Sequence, residues 1–383
     1  MFPQFNIHST PLLVLVLQGL IFACLLLYRY RKEGIVADAL IAAFLFILVY
    51  HRTTYTIGFM GWYDTFKNTK INYFLLSFGL AIGPLIYLYV RTTLEAPFRL
   101  QRKDLWHFLP IVIFVLYRLV ILAHDAAQEN WAIGYEGDWQ RNFHVVYASP
   151  FMQFFEYSSQ LLYLAFTWQL FRQYQQKIKR FFSNTYQIEL NWLKVFLIVF
   201  SLLFAYDALT DVVDSFIMEL HYTHKWWVQF FFAIAVVYLG TKAYFTDLKK
   251  LHQLTFAIES PGSVSTEKDT PQYVKEKALI EAYIVQHQSF LQTDFTLKDL
   301  AEGLKMNVHQ VSEIINSGHG VNFNEFINRF RVEEVKRRIR NPENDHLSLL
   351  ALALDSGFNS KATFNRVFKK ISGQSPSQYK NSL

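Results

Sequence analysis

The chain has 383 residues, of which 52% are hydrophobic, 17% aromatic and only 18% charged, and its formal net charge is +6. Soluble domains are typically about 45–50% apolar and about 25% charged, so this composition excludes a disordered, collagen-like or disulfide-stapled protein and is too apolar for a single aqueous globule. The mean hydropathy of +0.13 is too low for a chain embedded in lipid throughout. These values predict two parts, one in lipid and one in water.

Seven apolar runs before residue 250 are candidate membrane spans, because about 20 apolar residues cross a hydrocarbon core of about 30 Å. They lie at residues 11–28, 36–57, 71–90, 105–123, 149–171, 193–215 and 226–245. The first run is not typical of a cleaved signal peptide, because no Lys or Arg precedes it and no small-residue cleavage site follows. Cys24, the only cysteine, lies in this run and is interpreted as a packing residue.

The basic residues of the short loops predict the orientation of these spans, because Lys and Arg accumulate on the cytoplasmic side. Three, four and five of them follow the first, third and fifth runs, whereas the opposite side holds five in all, among them Arg52 near the outer end of the second run. With seven spans, this bias predicts that the N-terminus lies outside and that everything after the last span lies in the cytoplasm.

The sequence changes character after the last run. Residues 247–259 are predicted to continue the last helix, and residues 260–266 are polar and rich in Pro, Gly and Ser, which is typical of a linker. We therefore predict a transmembrane domain at residues 1–248, a cytoplasmic helical extension and linker at 249–272, and a cytoplasmic domain at 273–383, which we call the tail.

Residues 296–316 of the tail show the pattern of a helix-turn-helix motif. Asn307 is predicted to cap the second helix, with Gln310 three residues later completing a capping box. The apolar residues of this second helix face inward and leave a polar outward face, on which His309 and Ser312 are predicted DNA contacts.

Residues 349–370 show the same pattern a second time. Gly357 is predicted to end its first helix and Asn359 to cap its second. The outward face of that second helix comprises Ser360, Lys361, Thr363 and Arg366. Between the two motifs, residues 323–339 predict one amphipathic helix about 25 Å long, which can hold two reading helices in neighbouring major grooves about 34 Å apart.

The tail resembles the DNA-binding domain of the AraC/XylS family of bacterial transcription regulators. The most specific matches to the family signature are Gly357-Phe358, Phe364-x-Arg366-x-Phe368-Lys369 and Gly373-x-x-Pro376-x-x-Tyr379. The resemblance implies seven helices with two helix-turn-helix motifs, sequence-specific binding of double-stranded DNA that activates or represses promoters, and a homodimer. Together with the predicted spans, it implies a dimer tethered to the bacterial inner (plasma) membrane. Glu313 departs from the family, which often has a basic or amide residue at this position. Among base edges a glutamate accepts a hydrogen bond only from the cytosine amine, and it repels phosphate, so this departure disfavours base reading by the first reading helix.

Charge is unevenly distributed along the tail. Residues 273–328 contain four Lys or Arg and seven Asp or Glu, whereas residues 329–383 contain 11 and five. The second half is therefore favoured for phosphate contact. Arg337 and Arg338, in a basic run of the joining helix, are predicted backbone contacts. For these residues, as for Lys361 and Arg366, the alternative is a solvated helix face.

Ionisable residues inside the membrane are costly and usually serve pairing or function. Counting 1.5 Å per residue along the predicted spans puts His51, Arg118, Glu156 and Asp207 at a similar depth. Asp211 follows Asp207 one turn later on the same face. Three interpretations stay open: a structural ion-pair network such as Arg118–Asp207, a ligand pocket open to the outside, and a proton or cation path.

No metal-ligand spacing, phosphate loop or nucleophile triad occurs in the sequence, so we predict no catalytic residue, metal or cofactor, and no enzyme. The prediction is an all-α, membrane-bound, one-component transcription regulator. A polytopic bundle of seven transmembrane helices, in contact with membrane lipid, would sense a small-molecule, lipidic or protein signal and control the tail. The alternative is a receptor-like or transporter-like membrane protein whose tail binds a protein partner.

Overall fold

A computed structural model of the chain describes residues 2–66, 68, 70–95, 100–128, 136–185, 188–221, 223–247 and 271–383. Over these residues the fold is all-helical, and an isolated bridge between Phe182 and Thr296 is the only β pairing. The chain divides into two compact units, the first made of Met1–Phe171 and Asn191–His252 and the second of Arg172–Leu190 and Gln253–Leu383. Most of the predicted extension and linker (residues 249–272) lies outside the described residues.

Seven long helices precede residue 248 in the described part of the chain. They are α1 (Ser9–Glu33), α2 (Val36–Phe59), α3 (Gly79–Leu94), α4 (Leu109–Ala126), α5 (Ser149–Phe181), α6 (Asn191–Phe216) and α7 (His224–Phe245). Short helical turns at Trp62–Thr65 and Ile71–Phe74, a 3₁₀-helix at Arg102–Phe108 and a π-helix at Trp139–Ala148 lie between them.

Six helical segments of the described chain are long and apolar enough to cross a membrane: Ser9–Glu33, Val36–Phe59, Ile71–Leu94, Arg102–Ala126, Asn191–Asp214 and His224–Phe245. They coincide with six of the seven predicted spans. The fifth predicted span lies in α5, which has 33 residues but is less apolar, because Gln153, Glu156 and Gln160 interrupt it. Its status as a span stays a prediction.

Glycines allow close approach of α1, α2 and α7. A Cβ added at Gly19 of α1 would lie 2.8 Å from a methyl carbon of Val236 and 2.9 Å from one of Val49. A Cβ at Gly240 of α7 would lie 2.7 Å from Phe22. Close packing at small residues is a main source of helix association in lipid, so these contacts suit a membrane bundle.

The opposite face of α1 is apolar and exposed. Leu17 and Ile21 lie on this face, as expected for a helix that contacts lipid. Cys24 is also exposed, because the neighbouring Ala23 and Leu26 occupy the buried positions of that turn. The interpretation of Cys24 as a packing residue is therefore wrong.

Seven further helices form most of the second unit. They are α8 (Pro271–His287), α9 (Leu297–Leu304), α10 (Val308–His319), α11 (Phe323–Ile339), α12 (Leu349–Asp355), α13 (Lys361–Ser372) and α14 (Pro376–Asn381). Helix α11 has the bounds that the sequence predicted and joins two apolar clusters. Phe326 and Ile327 belong to the first cluster, with α8, α9 and α10, and Val332 and Val335 belong to the second, with α12, α13 and α14.

The cap of α10 is only partly as predicted. The Asn307 side chain accepts a hydrogen bond from the His309 N–H at 2.8 Å, so Asn307 is the cap. The predicted capping box is wrong, because the Gln310 amide donates instead to the Glu276 carboxylate of α8 at 3.0 Å. A partner from another helix therefore replaces the local one.

The cap of α13 lies one residue later than predicted. The Ser360 hydroxyl accepts a hydrogen bond from the Thr363 N–H at 3.2 Å, and helical geometry begins at Lys361. Asn359 is not the cap, and its Oδ1 is buried without a hydrogen-bond partner in the described residues. Ser360 reaches the Thr363 N–H because it directly precedes the first helical residue, which is the standard capping position.

Arg331 of α11 is a fully buried guanidinium, only 1% exposed. Its Nε donates to the Phe290 carbonyl and one Nη to the Gln292 carbonyl, each at 2.7 Å, and both Nη atoms reach Ser183 at 3.2–3.3 Å. Burial lowers its pKa to about 10, which leaves it charged at neutral pH. Sequence reasoning missed this role, because Arg331 looks like one more member of a basic run.

Gly357 packs directly against this guanidinium. Its φ is +91°, a left-handed conformation that favours glycine. A Cβ there would lie 2.3 Å from the Phe290 carbonyl oxygen and 2.8 Å from Arg331 Nε. The predicted helix-ending glycine therefore also gives the chain room to pass beside Arg331.

Replacing Arg331 with leucine should destabilise the second unit by about 3 kcal/mol or more, since each buried acceptor left unpaired costs about 1–3 kcal/mol. Hydrogen exchange of the α11 amides in the purified full chain would measure this loss. The control is Arg329→Leu, an exposed neighbour, for which we expect a change within about 0.5 kcal/mol. Equal protection of α11 in both variants would contradict the structural role of Arg331.

Candidate nucleic-acid interface

Helix α13 presents the predicted contacts of the second motif at the surface. Lys361 and Arg366 are exposed, whereas Ser360 and Thr363 are half-buried. The Ser360 hydroxyl is committed to the cap and also donates to the Thr363 hydroxyl at 3.0 Å. Lys361 and Arg366 therefore have the greater freedom to reach a nucleic acid.

Helix α10 presents a more covered face. His309 and Ser312 are both half-buried, and the Ser312 hydroxyl accepts a hydrogen bond from the Asn316 amide at 3.2 Å. Glu313 is half-buried on the same helix. This face combines one imidazole, one hydroxyl and one carboxylate, so its electrostatic attraction for phosphate is weaker than that of α13.

The basic run of α11 is organised around one carboxylate. Arg337 donates two hydrogen bonds to Glu334 at 2.7 Å, and Arg338 donates one at 2.7 Å. The hydrogen bonds from Arg337 hold the pKa of Glu334 below its usual range. Exposed ion pairs are weak, so phosphate could replace Glu334 as the partner of Arg337, which is 68% exposed.

Carboxylates also lie beside the basic residues of α13. Glu189, from the piece of chain between α5 and α6, lies 3.9 Å from the Arg366 guanidinium. Glu325 of α11 lies 2.7 Å from the Lys370 ammonium. The sequence did not predict either pairing, because both partners are distant along the chain.

The same piece of chain makes buried hydrogen bonds with the second unit. Ser183, which is 1% exposed, donates its N–H to the Phe295 carbonyl at 3.3 Å. The Asn324 amide donates to the Ser183 carbonyl at 2.7 Å and to the Phe182 carbonyl at 3.3 Å. Phe182 also forms the isolated bridge with Thr296.

In the first unit, one cavity of about 1030 Å³ collects the predicted ionisable layer. All five residues of that layer line it: His51, Arg118, Glu156, Asp207 and Asp211. Glu156 accepts a hydrogen bond from the Ser77 hydroxyl at 2.7 Å, and His51 Nε2 accepts one from the Phe78 N–H at 3.2 Å. The five residues that the sequence placed at a similar depth thus line one cavity, and their role stays a prediction.

The predicted ion pair between Arg118 and Asp207 is wrong. Arg118 donates to the Gln140 side chain and to the Asn72 carbonyl, each at 2.7 Å. The π-helix that contains Gln140 packs against α4 and so brings the Gln140 side chain to Arg118. Two neutral oxygens therefore accept the hydrogen bonds of Arg118 in place of a carboxylate. Among the described residues, the hydrogen bond to the Asp207 carboxylate is a long one, 3.4 Å from the Tyr157 hydroxyl.

Charged residues beyond the predicted layer also line the cavity. Lys225 pairs with Asp211 at 3.0 Å. Arg52, which the sequence analysis counted with the basic residues of the outer side, lies inside α2, is 8% exposed, and has its guanidinium carbon 4.6 Å from the centre of the Phe232 ring. Arg52 Nε and Gln229 Oε1 are buried without hydrogen-bond partners in the described part of the chain.

The C-terminal end of the chain is similar to a known family of domains. Residues 300–382 match the family described as the helix-turn-helix domain. An uncharacterized HTH-type transcriptional regulator of Staphylococcus aureus (strain COL) is 31% identical over 87 residues, which are 23% of this chain and 11% of that protein. The melibiose operon regulatory protein of Escherichia coli is 28% identical over 102 residues, which are 26% of this chain and 33% of that protein.

The chain thus spans a third or less of the length of these relatives. No solved structure matches the chain. The matches support a DNA-binding helix-turn-helix domain of the AraC type at the C-terminal end, in a transcriptional regulator.

Proposed function

We propose that this protein is a membrane-bound one-component transcription regulator, in which a transmembrane domain (residues 1–248) controls sequence-specific binding of double-stranded DNA by the tail (residues 273–383). Residues 249–272 connect the two domains. The observation that carries the proposal is a helix-turn-helix match at residues 300–382 in a chain whose described part also has six helices apolar and long enough to span a membrane.

The DNA interface that we propose consists of two helix-turn-helix motifs, α9–α10 and α12–α13, joined by α11. Its contacts are His309, Ser312, Arg337, Arg338, Ser360, Lys361, Thr363 and Arg366. The surplus of basic residues after position 328 and the exposure of Lys361 and Arg366 favour α13 as the main contact with phosphate or base edges. The family resemblance implies that two copies bind as a homodimer.

We further propose seven spans in a bacterial inner membrane, with the N-terminus outside and the tail in the cytoplasm. In this topology two spans, α6 and α7, separate the α5–α6 connection from the tail, so both lie on the same side. The hydrogen bond between Ser183 and Phe295 supports a location on the same side of the membrane, because it joins the α5–α6 connection to the tail.

The cavity of the first unit is the site that we propose for the signal. Its volume of about 1030 Å³ is of the size that holds a drug-sized molecule. Aromatic walls such as Phe200 and Phe204 and the buried polar atoms of Arg52 and Gln229 suit a ligand with an apolar body and a few polar groups. The signal is therefore a small or lipidic molecule.

The topology predicts where a reporter enzyme works. A reporter active only in the cytoplasm should be active when fused after residue 250 and silent when fused within residues 125–140, because these positions lie on opposite sides of the membrane. Enzyme activity normalised to the amount of each fusion measures this. The reverse pattern would overturn the proposed orientation.

Arg366→Ala should weaken specific DNA binding by about 1–3 kcal/mol if the guanidinium contacts a base edge. If it contacts phosphate alone, affinity should fall for all sequences and the salt dependence should decrease by about one charge. Fluorescence anisotropy over a salt series distinguishes the two. Lys298→Ala, an exposed basic residue of α9, is the charge-matched control, and unchanged binding by folded Arg366→Ala would refute the assignment.

Asp207→Asn should shift promoter output while the DNA affinity of the tail stays unchanged, because Asp207 lies in the cavity and not at the interface. Promoter output in cells, together with the amount of protein in the membrane, measures this. Glu219→Gln, an exposed carboxylate outside the cavity, is the control. Normal insertion with wild-type output in both Asp207→Asn and Arg118→Gln would mean that the layer is scaffold only.

A further inference from the structure

We infer that residues 182–185, which we call the docking segment, bind in a groove on the DNA-binding tail and thereby hold Glu189 against the reading helix α13, which lowers the affinity for DNA. This inference rests on the proposed function only in that α13 is taken to contact DNA. The docking segment lies between α5 and α6, and the groove is formed by Phe295, Thr296, Asn324 and Arg331.

The groove binds the docking segment through its backbone. Phe182 pairs with Thr296 in a bridge, and the Asn324 amide binds two successive carbonyls of the segment. Phe182 and Ser183 are 8% and 1% exposed, so these hydrogen bonds are shielded from water. Backbone pairing plus a side-chain clamp is a recognised way for a domain to bind an extended peptide.

Arg331 makes the groove specific for this segment. A guanidinium has five N–H donors, and a buried one is costly unless they are used. Phe290 and Gln292 accept two of the hydrogen bonds, and the Ser183 carbonyl and hydroxyl accept the others that the structure shows. The segment therefore completes a site that the tail by itself leaves partly unsatisfied.

Docking brings a carboxylate to the proposed DNA interface. The Thr185 hydroxyl donates to the Glu189 carboxylate at 2.5 Å and orients it, and Glu189 lies 3.9 Å from the Arg366 guanidinium. The Glu189 side chain is only 14% exposed, so salt screens this contact less than it screens a fully exposed pair. A phosphate that approaches Arg366 must compete with Glu189 and is repelled by it.

The chain itself gives the docking segment a path to the membrane helices. Helix α5 carries Glu156 of the cavity and ends at Phe181, directly before the segment. Helix α6 carries Asp207 and begins at Asn191, directly after Glu189 and Leu190. A ligand that changes either helix therefore acts on the docking segment without passing through residues 249–272.

The first experiment measures DNA affinity in the purified full chain in lipid nanodiscs, with a fluorescein-labelled 30-bp duplex of random sequence as the probe. Glu189→Gln removes the charge and keeps the shape, so affinity should rise by about two- to fivefold at low salt, as expected for a weak ion pair, and the gain should shrink as salt is added. The control is Glu281→Gln, which removes the same charge from the exposed surface of α8, outside the two helix-turn-helix motifs, and should leave affinity within about twofold of the wild type.

The second experiment measures hydrogen exchange of the docking segment in the same preparation. Because docking and DNA binding oppose each other, saturating duplex should increase exchange at Ser183, whose N–H is protected by Phe295 in the free protein. Unchanged or lower DNA affinity in Glu189→Gln, or equal or slower exchange at Ser183 with DNA, would overturn the inference. If the wild type bound no duplex, the proposed function would fail, whereas rapid exchange at Ser183 in the free protein would refute docking alone.

Discussion

The buried guanidinium of Arg331 is the constraint on which the second unit depends. A charge in a low-dielectric interior is stable only when its donors are used, so each group that accepts from it is fixed in place. These groups come from the α8–α9 connection, at Phe290 and Gln292, and from Ser183, and Gly357 packs beside them. Helix α11 joins the two apolar clusters, so the Arg331 side chain lies between them and fixes the docking segment beside them.

This arrangement gives the proposed regulator two connections between its parts. Residues 249–272 are one connection, and the polar, Pro/Gly/Ser-rich composition of residues 260–266 within it predicts a linker that can change how close two tails come but transmits little torque. The docking segment is the other connection, and it binds the tail through buried hydrogen bonds to Asn324 and Arg331. The two connections suit different tasks in the proposed regulator. The first keeps the tails at the membrane, and the second transmits a change in α5 or α6 to the tail.

The sequence predicted what depends on local pattern. The bounds of α11 followed from the helical spacing of its apolar residues, and six apolar helices of the described chain coincide with predicted spans. It failed where partners come from distant segments: Arg118 binds Gln140 instead of Asp207, and Gln310 binds Glu276 instead of closing a capping box. The contact residues of α10 and α13 were chosen by helical spacing and remain predictions, because no nucleic acid tests them.

In the described residues, every guanidinium nitrogen of Arg331 in the second unit is hydrogen-bonded, whereas polar groups at the cavity of the first unit are incompletely hydrogen-bonded, and this difference fits the roles that we propose. Arg331 is paired with several oxygens and is therefore a fixed point. Arg52 Nε and Gln229 Oε1 are buried beside a cavity without partners in the described residues, and Asp207 has only a long contact. Polar groups left unsatisfied in this way gain free energy from any ligand that supplies the missing hydrogen bonds. In both places hydrogen bonding decides the behaviour: the paired Arg331 site is rigid, whereas the cavity, with its unpaired polar groups, responds to a ligand.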